Sequence, residues 1–235
     1  MTSIATGCRA LDHLMMGGFP LGEISLIYGE AETGKTTLAL QCSVICMRAS
    51  LKVVFVDSDH MFSTARLSQI MDYDLDRLSS LMIVFTPEDF EEQGRLVEGL
   101  ERYVTKNTCL IAFDTITGLY REEVRSSEET FALSRELNRQ LAYLKEVAER
   151  RLVAVLLTSQ VHAVPDAEKA EDRRVEPLAI RVLNHWCNNI VGLKSTSKSQ
   201  VKEATIEKLG GRGLEGLRCF FRLGDHGLED AGAVI

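Results

Sequence analysis

The chain of 235 residues has the composition of an ordinary globular protein, with 45% hydrophobic and 26% charged residues. This composition excludes disordered, collagen-like and coiled-coil rod proteins. The longest apolar run, residues 152–157, is far shorter than the roughly 20 residues of a membrane-spanning helix, and the first residues lack the basic start of a secretion signal. We therefore expect a soluble cytoplasmic protein that makes no contact with a membrane.

The formal net charge of −7 is unevenly distributed along the chain. Residues 57–92 contain nine carboxylates and two arginines, which account for the whole negative excess. Residues 194–222 contain seven lysines and arginines against three glutamates. A solvated strand face and a local surface for a polyanion both explain this basic segment, and the composition leaves the two readings open.

Apolar strand patterns alternate with helical patterns along the chain. The strands are predicted at residues 24–28, 53–56, 82–85, 110–113 and 153–158, and helices at 36–49, near 63–71, after 86–89 and after 126–129. Thr86 is the predicted cap of the third helix, which we expect to end near Val104. Further strands are predicted near 189–193, 201–207 and 217–223. The fold class is therefore α/β, a mostly parallel central sheet flanked by helices, with antiparallel strands near the C-terminus.

The cysteines, histidines and aromatic residues indicate packing rather than chemistry. The six cysteines contain no C-x-x-C pair, which favours reduced thiols in the core. The five histidines never pair at H-x-x-x-H spacing, so no histidine metal site is expected. Trp186 is predicted to lie in the core, and an aromatic content of 6% argues against an extended groove that stacks single-stranded bases.

The strongest motif lies between the first predicted strand and the helix that follows it. It fits G-x-x-x-x-G-K-[ST] in full: Gly29, Glu30, Ala31, Glu32, Thr33, Gly34, Lys35 and Thr36, followed by Thr37. Such a loop wraps phosphates with backbone N–H groups at a helix N-terminus. Lys35 is expected to reach the β and γ oxygens of ATP, and Thr36 to offer its hydroxyl to Mg²⁺.

Polar residues follow three other predicted strands, at the edge where open α/β sheets bind ligands. Asp114 ends one strand and is expected to bind Mg²⁺ directly or through water. Asp57 and Asp59 follow another strand, and one of them is expected to orient or deprotonate the attacking water. Gln160 follows a third strand and is expected to sense the γ-phosphate through its amide.

Several further runs carry a family resemblance that covers nearly the whole chain. They are T-G-C-R-A-L-D at 6–12, G-G-F at 17–19, V-D-S-D at 56–59, F-T-P-E-D-F at 85–90, Y-R at 120–121, L-S-R-E-L-N-R-Q-L at 133–141, Q-V-H at 160–162 and G-L-E-D at 227–230. With the phosphate loop, these runs resemble the RecA-like recombinases, and most closely their short archaeal RadB branch. The resemblance implies one RecA-like ATPase core over residues 1–235, without the N-terminal DNA-binding domain of longer relatives.

The resemblance also implies a function. It indicates an ATP-binding accessory or mediator protein in DNA repair and homologous recombination, which binds single-stranded or branched DNA and acts beside the main archaeal recombinase and other recombination proteins. ATP hydrolysis is expected to be weak and independent of DNA. The resemblance leaves open whether the chain forms a homo-oligomer.

Two site residues are assigned through the resemblance. Arg66 matches the arginine that packs on the adenine ring. Asp59 stands where RecA-like enzymes usually carry the catalytic glutamate, so it departs from them by one methylene. Because catalysis depends on placement within fractions of an ångström, we expect slow turnover.

The implied DNA contacts depart from the family pattern as well. The candidate residues are Arg121, Arg125, Arg173, Arg174, Lys208 and Arg212. Residues 125–128, R-S-S-E, stand where strand-exchanging relatives carry Gly-Arg-Gly, so strand exchange is not expected. The C-terminal basic tract of the RadB branch is reduced to residues 208–212, and in the second DNA loop, 161–177, three basic residues face five acidic ones. The phosphate grip is therefore expected to be weak.

Two alternatives to the recombination function stay open. One is a regulatory P-loop ATPase of the circadian-clock-like branch, which acts on protein partners and is usually tandem or hexameric. The other is a P-loop kinase for a small molecule, which needs an arginine-rich lid over the phosphates. No arginine cluster of that kind is present in the sequence.

Overall fold

The computed structural model describes residues 2–72, 78–124, 126–163, 175–198 and 200–231. The strands are β1 (Ser3–Ile4), β2 (Phe19–Pro20), β3 (Ile24–Gly29), β4 (Lys52–Asp57), β5 (Met82–Phe85), β6 (Thr108–Asp114), β7 (Ala154–Ser159), β8 (Val161–Ala163), β9 (Val175–Pro177), β10 (Asn189–Ser195), β11 (Val201–Leu209), β12 (Arg212–Gly224) and β13 (Gly227–Asp230). The helices are α1 (Arg9–Leu14), α2 (Lys35–Arg48), α3 (Thr64–Ile70), α4 (Phe90–Gly99), α5 (Gly118–Glu123), α6 (Ser127–Arg151) and α7 (Ile180–Trp186).

Nine of these strands form one sheet in the order β13-β12-β11-β10-β3-β7-β6-β4-β5. The strands from β10 to β5 in this order pair in parallel, whereas β11, β12 and β13 are antiparallel. We call these two parts the parallel half and the antiparallel extension. The predicted architecture, a mostly parallel central sheet flanked by helices with C-terminal antiparallel strands, is confirmed.

The parallel half is buried on both faces because helices cover each of them, except at its edge strand β5, where Ile83 and Val84 are exposed. Helices α1, α2 and α3 contribute Leu11, Leu38 and Leu67 to a core on one face. Helices α4 to α7 contribute a second core on the other face, where Leu137 and Leu141 of α6 pack. The layered arrangement leaves the carboxyl ends of the strands as the open edge at which side chains can meet a ligand.

Helix α4 begins and ends differently from the prediction. Its N-cap is Asp89, whose carboxylate accepts a hydrogen bond from the backbone N–H of Glu92, and not Thr86. The helix ends at Gly99 and continues only as a 3₁₀ turn, Leu100–Arg102. The predicted cap was wrong because two oxygen-bearing side chains stand three residues apart, and only the backbone path selects between them.

Thiols and tryptophan occupy the positions expected of packing residues. All six cysteines are buried and free, and burial raises the pKa of the Cys187 thiol to about 12. Trp186 is half-buried against the core beneath α6, and its ring N–H donates to Asn138 Oδ1 over 2.9 Å. Within the described ranges, no helix has the length and apolar character needed to cross a bilayer.

Candidate functional site

The phosphate loop joins β3 to α2, and its path requires glycine at both ends. A Cβ atom on Gly29 would lie 2.4 Å from the Leu193 carbonyl oxygen. Gly34 has φ of +102°, and a Cβ there would lie 2.8 Å from a methyl group of Leu223. Only glycine combines this backbone conformation with this close approach. The two glycines of the motif are therefore explained by the packing of β10 and β12 around the loop.

A cavity of about 240 Å³ opens at the start of α2. It is lined by Glu32, Gly34, Lys35, Thr36, Thr37 and Leu223. The first N–H groups of an α-helix have no partner within the helix and favour an anion. Five of the lining residues were predicted as ATP-binding residues, and Leu223 was not. Its strand is far away in sequence, and only the fold brings it to the loop.

Lys35 is a buried cation, with 7% of its surface exposed. Its ammonium donates to the carbonyl oxygens of Gly29 (2.9 Å) and Glu30 (2.7 Å). Burial lowers the Lys35 pKa, and the nearby carboxylates of Asp114, Asp59 and Glu30 oppose that shift. Without a nucleotide, the loop's own carbonyl groups thus satisfy the lysine that the motif supplies for phosphate.

Asp114 at the end of β6 lies next to the phosphate loop. The Thr36 hydroxyl donates to Asp114 Oδ2 over 2.7 Å, and the Thr158 hydroxyl donates to Oδ1 over 2.5 Å. Burial raises the Asp114 pKa, an effect that the two hydroxyl groups reduce and the neighbouring Asp59 and Asp57 increase. A hydroxyl and a carboxylate in contact are hard oxygen donors of the kind that Mg²⁺ prefers. These residues fit the predicted cation site.

Asp59 is held between two side chains at the same edge. Its Oδ1 accepts a hydrogen bond from the Thr115 hydroxyl (3.0 Å), and its Oδ2 accepts one from the Gln160 amide (2.9 Å). A Cβ atom on Gly118 would lie only 1.9 Å from Asp59 Oδ1. The carboxylate therefore rests against a glycine at the start of α5, and any larger residue there would displace it.

Asp57 has a different role from Asp59. Its two oxygens accept hydrogen bonds from the backbone N–H groups of Met61 (3.0 Å) and Phe62 (2.8 Å). The residue is 2% exposed, so its carboxylate braces the loop after β4. Because Asp57 is engaged by this loop, Asp59 is the better candidate for the water-activating carboxylate.

Arg66 lies on α3 beside the turn that joins β12 to β13. Its guanidinium donates to the carbonyl oxygens of Gly224 (2.9 Å) and Asp225 (2.8 Å) and to Gln69 Oε1 (3.1 Å). A planar guanidinium that is held by such bonds can still stack on an aromatic ring, so the predicted adenine contact stays a prediction. The same turn follows Leu223, so Arg66 also fixes the residues next to the phosphate cavity.

The structure separates the predicted DNA contacts into two groups. Arg121 is exposed at the edge of the sheet where the carboxyl ends of the parallel strands and the phosphate loop lie, which we call the nucleotide edge. There it donates to Gln160 Oε1 over 2.5 Å. Lys208 donates to the Asn184 carbonyl oxygen (2.7 Å) and pairs with Ile190 at the start of β10, so it and the neighbouring Arg212 lie at the opposite edge of the sheet. Arg125, Arg173 and Arg174 lie outside the described residues.

Four site residues were missed by the sequence analysis. Thr115, Gly118 and Thr158 position Asp59 and Asp114, and Leu223 closes the phosphate cavity. A hydroxyl two residues before Gln160 was a usable signal, because it stands at the end of a strand next to the strand of Asp114. For Leu223 no such signal exists in the sequence.

Known proteins resemble this chain over nearly its whole length. The Rad51 family model matches residues 1–231. The chain is 35% identical over 230 residues to the DNA repair and recombination protein RadB of Thermococcus kodakarensis, covering 97% of this chain and 99% of that protein. It is 30% identical to RadB of Methanococcoides burtonii, over 96% of this chain and 97% of that protein.

The fold comparison gives the same relationship. The crystal structure of a RadB recombinase matches with a TM-score of 0.79 and 34% identity, over 97% of this chain and 99% of that one. Sequence and structure therefore agree over almost the full length of the relatives. The chain belongs to the Rad51 family of RecA-like proteins, in its RadB branch.

Proposed function

We propose that this chain is an ATP-binding accessory protein of DNA repair and homologous recombination, which acts in the cytoplasm as a single RecA-like core. The observation that carries the proposal is the contact between the Thr36 hydroxyl of the phosphate loop and the Asp114 carboxylate. A phosphate loop can occur by itself, but this pair also supplies oxygen donors for a cation beside the phosphate cavity. The names of the RadB relatives supply the recombination context.

The residues of the loop have separate tasks in nucleotide binding. Residues 29–37 surround the phosphates, and Lys35 exchanges its two carbonyl partners for phosphate oxygens. Thr36 and Asp114 would hold Mg²⁺, which supplies positive charge to the phosphates when it is bound. Within the described residues, no group of three acidic, histidine or cysteine side chains is placed to hold a metal by itself. The cation site therefore depends on the nucleotide for its remaining ligands.

Asp59 is the candidate residue for activating water. Thr115 and Gln160 hold its carboxylate, and the Gln160 amide is the candidate group for sensing the γ-phosphate. The aspartate side chain is shorter than the glutamate of RecA-like enzymes, which favours weak, DNA-independent hydrolysis. Nucleotide binding, rather than turnover, is then the event that DNA or a recombinase partner detects.

The DNA contact is proposed at the nucleotide edge. Arg121 is exposed there and shares Gln160 with Asp59. Its guanidinium uses one of five N–H donors in the bond to Gln160, and the others suit a phosphate. Lys208 and Arg212 would contribute a separate, weaker contact at the other edge. The other proposed partners are the main recombinase, further recombination proteins and a second copy of the chain.

The proposal is tested by measuring the binding of single-stranded and branched DNA across a salt series, with and without ATP and Mg²⁺, together with ATP turnover. We expect affinity that falls steeply with salt and changes with ATP, while DNA hardly stimulates turnover. The Arg121→Gln variant should reduce the salt slope by about 0.7 for one lost phosphate contact. The matched control is Arg95→Gln, because Arg95 is an exposed arginine on α4 that pairs with Glu91.

Two results would redirect the proposal. If DNA does not bind at low salt while ATP does bind, the chain is a regulatory ATPase that acts on protein partners. If the Arg121 and Arg95 variants lower the salt slope equally, the DNA contact is not at the nucleotide edge. A stable hexamer with ATP in size-exclusion chromatography would further favour the circadian-clock-like alternative.

A further inference from the structure

One of the residues that line the phosphate cavity, Glu32, carries a carboxylate. Glu32 is exposed and lines the same cavity of about 240 Å³ as Lys35 and Thr36. Glu32 and Lys35 are the only ionisable residues of the lining, so its formal charge is zero. A site for a nucleotide with several negative charges is expected to be positive. The cavity thus contains one negative group that anion binding does not explain.

The surroundings of Glu32 do not neutralise its charge. Within the described part of the chain, its side chain forms no hydrogen bond or ion pair with another residue. Lys35 is turned toward the carbonyl oxygens of Gly29 and Glu30, and Glu32 is not among the carboxylates that influence the Lys35 pKa. The Glu32 carboxylate is therefore available to interact with whatever occupies the cavity.

The backbone of Glu32 is unfavourable for a residue with a side chain. Its φ of 60° lies in the left-handed region, which glycine adopts without penalty and glutamate does not. Glutamate at this position thus has a conformational cost in addition to its repulsion of phosphate. Neither the backbone conformation nor the binding of phosphate therefore favours a glutamate at position 32.

We infer that Glu32 makes nucleotide binding depend on a divalent cation. The inference rests on the proposed function, because it concerns the same phosphate site. A carboxylate that lines the cavity repels a di- or triphosphate when no cation is bound to the phosphates. A bound Mg²⁺ reduces the negative charge of the phosphates and is itself attracted to the carboxylate. Glu32 therefore discriminates between cation-free nucleotide and its Mg²⁺ complex.

The test compares ADP binding with EDTA and with Mg²⁺, by calorimetry, in wild type and three variants. Glu32→Gln removes the charge but keeps the length of the side chain, whereas Glu32→Gly also relieves the backbone. We expect Glu32→Gln to bind free ADP about tenfold more tightly than wild type, and Mg²⁺-ADP by about twofold at most. The gain with free ADP should shrink at high salt.

The matched control is Glu149→Gln, which removes an exposed carboxylate at the end of α6, at the opposite edge of the sheet. It should leave both affinities as in wild type. Equal binding of free ADP by wild type and Glu32→Gln would overturn the inference. The same holds if Glu32→Gln gains equally with EDTA and with Mg²⁺, or if Glu149→Gln reproduces the gain.

Glu32→Gly separates the charge from the backbone. If only Glu32→Gly gains affinity and Glu32→Gln does not, the left-handed backbone and not the charge is responsible, and the inference is overturned. If wild type and all variants bind neither form of ADP, the proposed ATP-binding function fails and the inference fails with it. Binding of Mg²⁺-ADP by wild type keeps the proposed function whatever Glu32→Gln shows.

Discussion

The parallel half and the antiparallel extension of the sheet differ in how deeply their residues are buried and in what they contribute to the candidate site. All residues of β7 are buried, since helices cover both faces of the parallel half. In β11, buried residues alternate with half-buried ones, because only one face packs on the core. Asp59, Asp114 and Gln160 all follow parallel strands, whereas the extension contributes Leu223 and the turn that Arg66 braces. The parallel half supplies the polar residues of the candidate site, and the extension limits the size of the phosphate cavity beside them.

The charges of the two parts follow the same division. Asp114 in the parallel half has a pKa raised by burial. Asp230 at the end of the extension has a lowered pKa, because it accepts hydrogen bonds from the backbone N–H of Ala10 and from the Arg9 guanidinium. The charge of Asp114 therefore lowers the stability of the folded protein, whereas the charge of Asp230 increases it. Five predictions test this division, in order of decreasing effect.

The largest effect is expected from a cavity in the parallel half. Phe113 on β6 is fully buried, so Phe113→Ala should lower the free energy of unfolding by about 3–5 kcal/mol. Leu217 on β12 is 40% exposed, and Leu217→Ala should cost less than about 1 kcal/mol. Urea unfolding of both variants measures the difference. Equal losses would show that the extension is packed as tightly as the parallel half.

The next effect concerns two buried lysines. Lys35→Ala should weaken Mg²⁺-ADP binding by about tenfold to a hundredfold, because a charged hydrogen bond to phosphate is lost. The control is Lys202→Ala in the extension, where a lysine with 9% exposure donates to the Ser195 hydroxyl. Calorimetry should find its ADP affinity unchanged. A comparable loss in both variants would place the nucleotide partly on the extension.

The third effect is on turnover. Asp59→Glu restores the side-chain length of RecA-like enzymes and should raise the rate of phosphate release several-fold. Asp59→Ala should abolish the remaining turnover while ADP still binds, since the role proposed for the carboxylate is to activate water and not to bind the nucleotide. An unchanged rate in both variants would remove Asp59 from the mechanism.

The fourth effect is a gain in stability that depends on pH. Because burial raises the Asp114 pKa above its ordinary value of 3.8, the folded protein binds the Asp114 proton more tightly than the unfolded chain does, and the aspartate lowers stability as the pH rises above 3.8. This cost shrinks again as the pH is lowered toward 3.8. Asp114→Asn should therefore stabilise the nucleotide-free protein at pH 7, and less so as the pH is lowered. Urea unfolding across this range checks the sign, and a variant that is less stable at every pH contradicts it.

The smallest effect has the opposite sign. The lowered pKa of Asp230 means that its charge stabilises the folded protein above its ordinary value of 3.8, and that this contribution is lost as the pH falls through the folded-state pKa. Asp230→Asn should cost up to about 1 kcal/mol at pH 7, as expected for a partly exposed ion pair. Thermal unfolding should find that the difference shrinks as the pH is lowered below 3.8. A constant difference would indicate that charge is not its cause.

The difference between the two parts of the sheet also determines which features could be predicted from the sequence. The strands of the parallel half were predicted within one or two residues, because burial on both faces produces continuous apolar runs. Helices α1, α5 and α7 were not predicted, because they have six or seven residues and no side chain caps their first turn. Helix α3 has the same length but begins at the Ser63 cap, and it was predicted. The spacing of the residues could not choose between Asp57 and Asp59, because both follow the same strand, and only the family resemblance pointed to Asp59. In the structure, the turn that aims two backbone N–H groups at Asp57 separates them.

The contact between Asp230 and the start of α1 has a consequence for how the chain folds. The Asp230 carboxylate and the Ala10 N–H are separated by 220 residues in sequence. A contact of such high sequence separation forms only after the intervening chain has become compact, because closing so long a loop costs conformational entropy. The joining of β13 to α1 is thus expected among the last steps of folding and among the first contacts to open. Local opening of the native protein is expected to begin where its two ends meet.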